Sequence, residues 1–151
     1  MIELQGEQRF EQPKGVVADN LANLSALSRA IPGLDQIESN DGTTLVCRIR
    51  PALSFLTGTL RTTIVKQPAS ASEPIQLRIN SRGIGGGATV TTRFQIAGGD
   101  TDAIVTWTAE VEELTGLLKP VGASLVQAAM EKVIDSSWDG FRAQLTMPSA
   151  N

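Results

Sequence analysis

The first three quarters of the chain alternate apolar and polar residues with a period of two, which predicts a series of β-strands. In the opening strand, Ile2, Leu4 and Phe10 share one side with Gly6. Asp41-Gly42 is a strong turn signal and predicts a hairpin between the next two strands. The remaining strands are predicted in 34–39, 43–51, 54–67, 74–83, 83–99 and 101–113.

In two other segments, apolar residues recur every three or four residues, which is the spacing of one face of a helix. Leu21, Leu24, Leu27 and Ile31 form one stripe, which predicts a pair of short helices after the first strand. Pro32-Gly33 ends this pair, because proline disfavours a helical residue before it and glycine permits a turn. Apolar residues then recur from Leu117 to Leu145 and predict one long amphipathic helix.

The order of these elements predicts an α+β fold of the helix-grip type. A curved antiparallel sheet of about seven strands would wrap around the long C-terminal helix, with the two short helices following strand 1. We expect one domain over 1–147 and a short tail over 148–151. Such a sheet and helix leave a hollow between them, whose general use is to hold an apolar ligand.

The composition excludes several kinds of site. The chain of 151 residues has no histidine and one cysteine, which excludes histidine-based catalytic triads, histidine metal sites and cysteine zinc sites. Its net charge of -3 gives no reason to expect nucleic acid as a partner. The polar N-terminus lacks the features of a signal peptide, so we expect a soluble cytoplasmic protein without cofactor or metal.

One set of apolar residues is predicted to line the hollow. Small residues nearby, Ala128, Ala129, Gly122 and Gly58, would leave room there, and Thr92 and Ser81 would supply hydroxyl groups. The alternative is an ordinary filled core. The predicted ligand-binding residues are Leu60, Ile79, Val90, Phe94, Trp107, Val121, Leu125 and Ala129.

Three other features receive structural interpretations. The segment 83–88, GIGGGA, matches a relaxed dinucleotide-binding pattern, but a strand follows it where that motif needs a helix. We therefore predict a hairpin turn or a bulge. Cys47 lies on the apolar side of an alternating strand and is expected to be buried and inert. Glu110 and Glu112 point away from Trp107 and are expected in solvent, with no catalytic role.

Five arginines fall on the polar sides of predicted strands. They form either a solvated outer surface or a docking patch for an acidic partner. The residues are Arg48, Arg50, Arg61, Arg78 and Arg93.

Residues 1–146 resemble the CoxG family of carbon monoxide dehydrogenase subunits, within the START-like, or SRPBCC, superfamily. The resemblance lies in the strand–helix–helix opening and the long last helix, together with four segments. They are IPGLDQIE at 31–38, FLTGTL at 55–60, RGIGGGATVTTRF at 82–94 and TDAIVTWTAEVEELTGLLKPVGASLV at 101–126.

The resemblance implies a non-enzymatic protein that binds a hydrophobic ligand, such as a quinone or lipid, and serves a molybdenum hydroxylase of the carbon monoxide dehydrogenase type. Some members of the family resemble factors that recruit such enzymes to the membrane, which would place this chain peripherally at its inner face. Two alternatives stay open. One is a cyclase or dehydratase of the same superfamily, and the other is a pure protein–protein adaptor with a filled core.

Overall fold

The structure, a computed structural model, describes residues 2–50, 58–67, 74–83, 86–116 and 123–146. Its strands and helices follow the predicted order. The strands are β1 Ile2–Phe10, β2 Leu34–Asn40, β3 Thr44–Ile49, β4 Leu60–Lys66, β5 Ile75–Gly83, β6 Gly86–Gly98 and β7 Ala103–Gly116. The helices are α1 Lys14–Leu21, α2 Leu24–Ala30 and α3 Ala123–Thr146.

The strands form one seven-stranded sheet in the order β1-β7-β6-β5-β4-β3-β2, and all neighbours are antiparallel. Strands β1 and β2 lie at opposite edges, so the chain between them must cross the sheet, and α1 and α2 make that crossing. This architecture confirms the predicted α+β class. The first part of the predicted strand 54–67 and residues 117–122 of the predicted helix lie outside the described residues, as does the predicted tail.

The predicted helical stripe continues across a break between α1 and α2. Asn23 caps α2, because its side-chain oxygen accepts a hydrogen bond from the Ala26 N–H at 3.2 Å. Leu21 and Leu24, on either side of the break, are both almost fully buried. The period of the apolar residues therefore indicated the buried face, and the side-chain cap determined where one helix ended and the next began.

The Pro32-Gly33 corner connects this helical pair to β2. Gly33 has a φ of 76°, and a Cβ placed there would lie 2.2 Å from the carbonyl oxygen of Arg50. The Arg50 N–H donates a 2.8 Å hydrogen bond to the Gly33 carbonyl oxygen. Only glycine fits this position, because other residues would be strained and would clash with the end of β3.

Strands β5 and β6, on either side of residues 84–85, form an antiparallel hairpin, as predicted. Gly83 pairs with Gly86, and β6 begins at Gly86, although residues 84–85 lie outside the described residues. A strand therefore follows the glycines, in the place where a dinucleotide-binding motif needs a helix N-terminus for the pyrophosphate.

The second half of α3 packs on the sheet through aromatic rings. Phe141 meets Phe10 edge to face at 5.7 Å between ring centroids, and Trp138 meets Phe94 at 5.6 Å. The Arg142 guanidinium lies 4.4 Å above the Phe10 ring and adds a cation–π contact. These contacts attach α3 to β1 and β6 at one end of the molecule.

The first half of α3 is much more exposed. Leu125 is 52% exposed and Val133 39%, whereas Trp138 is 7% and Phe141 2% exposed. A helix that packs tightly at one end and loosely at the other leaves space beside its loose end. This is where the candidate site lies.

Candidate ligand-binding cavity

A cavity of about 340 Å³ lies between the inner face of the sheet, α2 and α3. Its volume falls within the usual range for small-molecule sites. Strands β4 to β7 form its floor because their inward positions carry apolar residues, as the period of two predicts. Leu27 and Ile31 of the α2 region border it on one side, and α3 covers it on the other.

Six of the eight predicted ligand-binding residues line this cavity. They come from four strands and from α3, so only the tertiary fold brings them together. They are Leu60, Ile79, Val90, Phe94, Trp107 and Ala129.

The other two predicted residues are placed differently. Leu125 lies outside the cavity and is 52% exposed, while Val126 beside it is only 6% exposed and lines the cavity. Successive residues on a helix differ by about 100° in direction, so a shift of one position exchanges an inward side chain for an outward one. Val121 lies outside the described residues.

The small residues that were predicted to leave room in the hollow do not all lie beside it. Ala129 faces the cavity, whereas Ala128 is exposed on the other side of α3. Gly58 is exposed and does not border the cavity, and Gly122 lies outside the described residues. The expected room next to α3 therefore depends on Ala129.

Sequence reasoning missed several cavity residues on α3. Met130 and Ile134 line the cavity together with Val126. Their spacing of four residues places them on one face of a helix and could have identified them as lining residues. Ala129 and Val133, on the neighbouring stripe, also line the cavity, whereas Leu125 at the start of that stripe does not. The cavity face of α3 is therefore wider than one stripe of helical spacing, and periodicity alone did not show its width.

Two hydrogen-bonding groups in the apolar lining are unpaired. The Thr92 hydroxyl oxygen and the Trp107 indole nitrogen are buried and have no hydrogen-bond partner among the described residues. Both residues line the cavity, on neighbouring strands β6 and β7. A buried polar group without a partner costs about 1–3 kcal/mol, so a ligand oxygen that bonded to either one would recover that free energy.

The Ser81 hydroxyl also lies at the cavity, but it already has a partner. Its oxygen is 2.9 Å from the hydroxyl oxygen of Thr62. Of the two hydroxyls that the sequence suggested, Thr92 is therefore the one without a hydrogen-bond partner among the described residues.

Gly6 allows the Trp107 ring to take its position. The two residues lie directly opposite each other on β1 and β7. A Cβ on Gly6 would be 2.7 Å from Cζ2 of Trp107 and 3.0 Å from its indole nitrogen. The indole therefore lies against the bare backbone of β1, and a larger residue would push it out of place.

None of the described lining residues has an ionisable side chain.

Cys47 does not border the cavity and is fully buried, and this burial raises the pKa of its thiol. Glu112 lies on the outer face, where it accepts a hydrogen bond from the Thr91 hydroxyl and pairs with Arg78 at 3.2 Å. Among the described residues, no group of three or more acidic, cysteine or histidine side chains could hold a metal ion.

The predicted arginine surface exists on the outer face of the sheet. Arg48 and Arg61 both pair with Glu38, at 3.1 and 3.0 Å. The pKa of the Glu38 carboxyl is lowered, and the hydrogen bond from Arg48 is the largest cause. Arg93 donates to the side-chain oxygen of Gln76 at 3.1 Å. The five predicted arginines are exposed or partly exposed, which is compatible with both interpretations.

No helix in the described ranges is long and apolar enough to cross a bilayer.

Comparisons with known proteins agree with this geometry. The family model of CoxG, a subunit of carbon monoxide dehydrogenase, matches residues 6–146. A search of curated proteins finds no sequence match.

Solved structures share the fold at low sequence identity. A conserved protein from Geobacillus kaustophilus has a TM-score of 0.84 at 15% identity, over 95% of both chains. A START superfamily protein from Mycobacterium smegmatis has a TM-score of 0.60 at 15% identity, over 95% of this chain and 99% of the other. A Thermus thermophilus protein has a TM-score of 0.65 at 16% identity, over 95% and 97%. The START-like fold predicted from the sequence is thereby confirmed.

Proposed function

Because this chain belongs to the CoxG family of carbon monoxide dehydrogenase subunits, we propose that it carries an apolar small molecule in the cavity between its sheet and α3. We further propose that it serves a carbon monoxide dehydrogenase-like molybdenum hydroxylase, as a carrier or as an adaptor that recruits the enzyme to the membrane surface.

The observation that supports a ligand is the apolar cavity itself, whose lining includes two residues that each carry an unpaired polar atom, Thr92 Oγ1 and Trp107 Nε1. The indole N–H can only donate, and the hydroxyl can donate or accept. Such a site fits a molecule with an apolar body and at least one acceptor oxygen. A quinone has ring carbonyl oxygens and an apolar tail, and a lipid has ester carbonyl oxygens and acyl chains.

The lining also favours a carrier over the enzyme alternative. A cyclase or dehydratase needs a positioned acid or base next to the reacting atoms. The described cavity residues include hydroxyls and an indole, but no carboxylate, lysine, arginine or cysteine. They are suited to enclose and orient a ligand.

The first experiment is a native mass spectrum of the purified protein, with an organic extract analysed alongside. We expect a stoichiometric apolar adduct, identified as a quinone or lipid in the extract. In the Ala129→Trp variant the new indole would occupy the cavity, and the adduct should be lost.

Ala128→Trp is the matched control, because it makes the same change on the exposed side of the same helix. It should keep the adduct, and circular dichroism should show that both variants are folded. Equal retention by the two variants, or no adduct in the native protein even after incubation with a short-chain quinone and with a phospholipid, would contradict the carrier proposal. The adaptor role is tested separately, by binding of the protein to a purified molybdenum hydroxylase of this type.

A further inference from the structure

Three arginines form a row across the outer face of the sheet. Arg48 on β3 lies directly opposite Arg61 on β4, and Arg61 lies directly opposite Arg82 on β5. We call these three residues the basic row. Their neighbours Cys47, Thr62 and Ser81 point inward, so the guanidinium groups project into solvent. Like charges at directly opposed positions destabilise a sheet, which makes such a row unfavourable in an isolated molecule.

The basic row is incompletely neutralised by its surroundings. Glu38 is shared between Arg48 and Arg61. Arg82 donates to the neutral side chain of Asn80 at 3.1 Å and pairs with no carboxylate of a described residue. Three positive charges are therefore matched by one negative charge.

The same outer face has the opposite charge near its other edge. Glu3 on β1 lies directly opposite Glu110 on β7, and we call these two residues the acidic pair. Leu4 and Ala109 beside them are buried on the inner face, so both carboxylates lie on the outer face. Neither carboxylate forms an ion pair with a described residue. This is a second like-charge contact across neighbouring strands.

The two charged regions are too far apart to neutralise each other within one molecule. Their nearest members, Arg82 on β5 and Glu110 on β7, are two strand positions apart, about 10 Å, and are also offset by about 13 Å along the strands, because Arg82 lies opposite Gly87 of β6 and Glu110 opposite Thr91. The Debye length at physiological ionic strength is only about 8 Å. A second copy of the chain, related by a two-fold axis, would bring each basic row to an acidic pair, and it would do so twice in one interface.

We propose that the outer face of the sheet is a symmetric dimer interface, in which the basic row of each protomer contacts the acidic pair of the other. The charges make this contact dependent on salt. The ligand cavity is on the inner face, so dimerisation leaves it unobstructed.

The test is sedimentation velocity at about 20 mM and about 500 mM NaCl. We expect a dimer at low salt and a shift toward monomer at high salt, with a dissociation constant that rises by about tenfold or more. Arg61→Glu with Arg82→Glu should give a monomer at low salt. Glu3→Arg with Glu110→Arg should also give a monomer. An equimolar mixture of the two variants should form a heterodimer, because both contacts then pair opposite charges again.

Controls with the same changes in net charge separate the interface from overall repulsion. Asp135→Arg with Asp139→Arg, and Arg29→Glu with Lys132→Glu, alter exposed positions on helices and should leave the dimer intact. Three results would overturn the proposal: a native protein that is monomeric at low salt, a mixture of the two reversed variants that stays monomeric, or a dimer that survives both high salt and the separate reversals.

Discussion

Two threonine hydroxyls on the inner face of the sheet differ in their partners. Thr62 Oγ1 lies 2.9 Å from the Ser81 hydroxyl, whereas Thr92 Oγ1 is buried without a partner among the described residues. A hydroxyl that already has a partner contributes to stability, and one without a partner costs free energy in the unliganded protein. This contrast is the basis on which we propose a structural role for Thr62 and a ligand-binding role for Thr92.

Thr92→Val should separate stability from binding. Removing an unpaired hydroxyl without changing the shape of the side chain should leave the free energy of unfolding unchanged or raise it by up to about 1 kcal/mol. The same change should weaken binding of a short-chain quinone by about tenfold, because one hydrogen bond to the ligand is lost. Urea denaturation measures the first quantity, and titration followed by tryptophan fluorescence measures the second.

Thr62→Val is the control, because it makes the same change at a hydroxyl on β4 that has a partner. It should lower the free energy of unfolding by about 0.5–1.5 kcal/mol, because the Ser81 hydroxyl loses its partner. Undiminished quinone binding by Thr92→Val would show that this hydroxyl does not contact the ligand.

At the scale of elements, the position of α3 depends on a close contact with α2. Gly140 on α3 approaches Ala30, and a Cβ placed at Gly140 would lie 3.2 Å from the Ala30 carbonyl oxygen. Glycine is unfavourable within a helix by about 1 kcal/mol relative to alanine, so its presence has to be explained by packing. The close approach allows Trp138 and Phe141 to reach the sheet.

Gly140→Leu should push α3 away from α2. We expect a loss of about 1–3 kcal/mol in the free energy of unfolding, because the larger side chain meets backbone atoms that cannot move aside easily. Ser136→Leu makes a similar change at an exposed position of the same helix and should stay within about 0.5 kcal/mol of the native protein. Equal values for the two variants in thermal and urea denaturation would argue against the close contact.

At the scale of the whole molecule, the fold has a packed end and a hollow end. The packed end is formed by the aromatic contacts of Phe10, Trp138 and Phe141. The hollow end is formed by the cavity, which Trp138 and Phe141 border on one side and which extends along the first half of α3. Segments with few buried apolar contacts open locally more often than segments in the core. A ligand in the cavity would supply the missing contacts.

Hydrogen exchange along α3 should therefore be uneven and sensitive to ligand. In protein stripped of ligand, amides of residues 125–133 should exchange faster than those of 137–144. Loading with a short-chain quinone should slow the first segment by about tenfold and change the second segment little, because the second segment is already packed. Uniform protection along α3, or no response to loading, would contradict the division into two ends.

The sequence by itself determined the periodic features of this protein. Alternation in β3 and β7 and the turn residues around Gly42 and Gly83 predicted the strands and hairpins, because side-chain direction in a strand repeats every two residues. The apolar stripe over 117–145 predicted the final helix, and the order of elements predicted the helix-grip fold. These features depend on local spacing, which a sequence contains directly.

Only the tertiary structure decided which side chains meet. Val126 faces inward and Leu125 outward because packing at Gly140 and Trp138 sets the rotation of α3 about its axis, and local spacing leaves that rotation open. The unpaired hydroxyl of Thr92 likewise could not be read from the sequence, since a hydrogen-bond partner comes from another strand. The row of three arginines depends on the registers of β3, β4 and β5, which are set by pairing between strands.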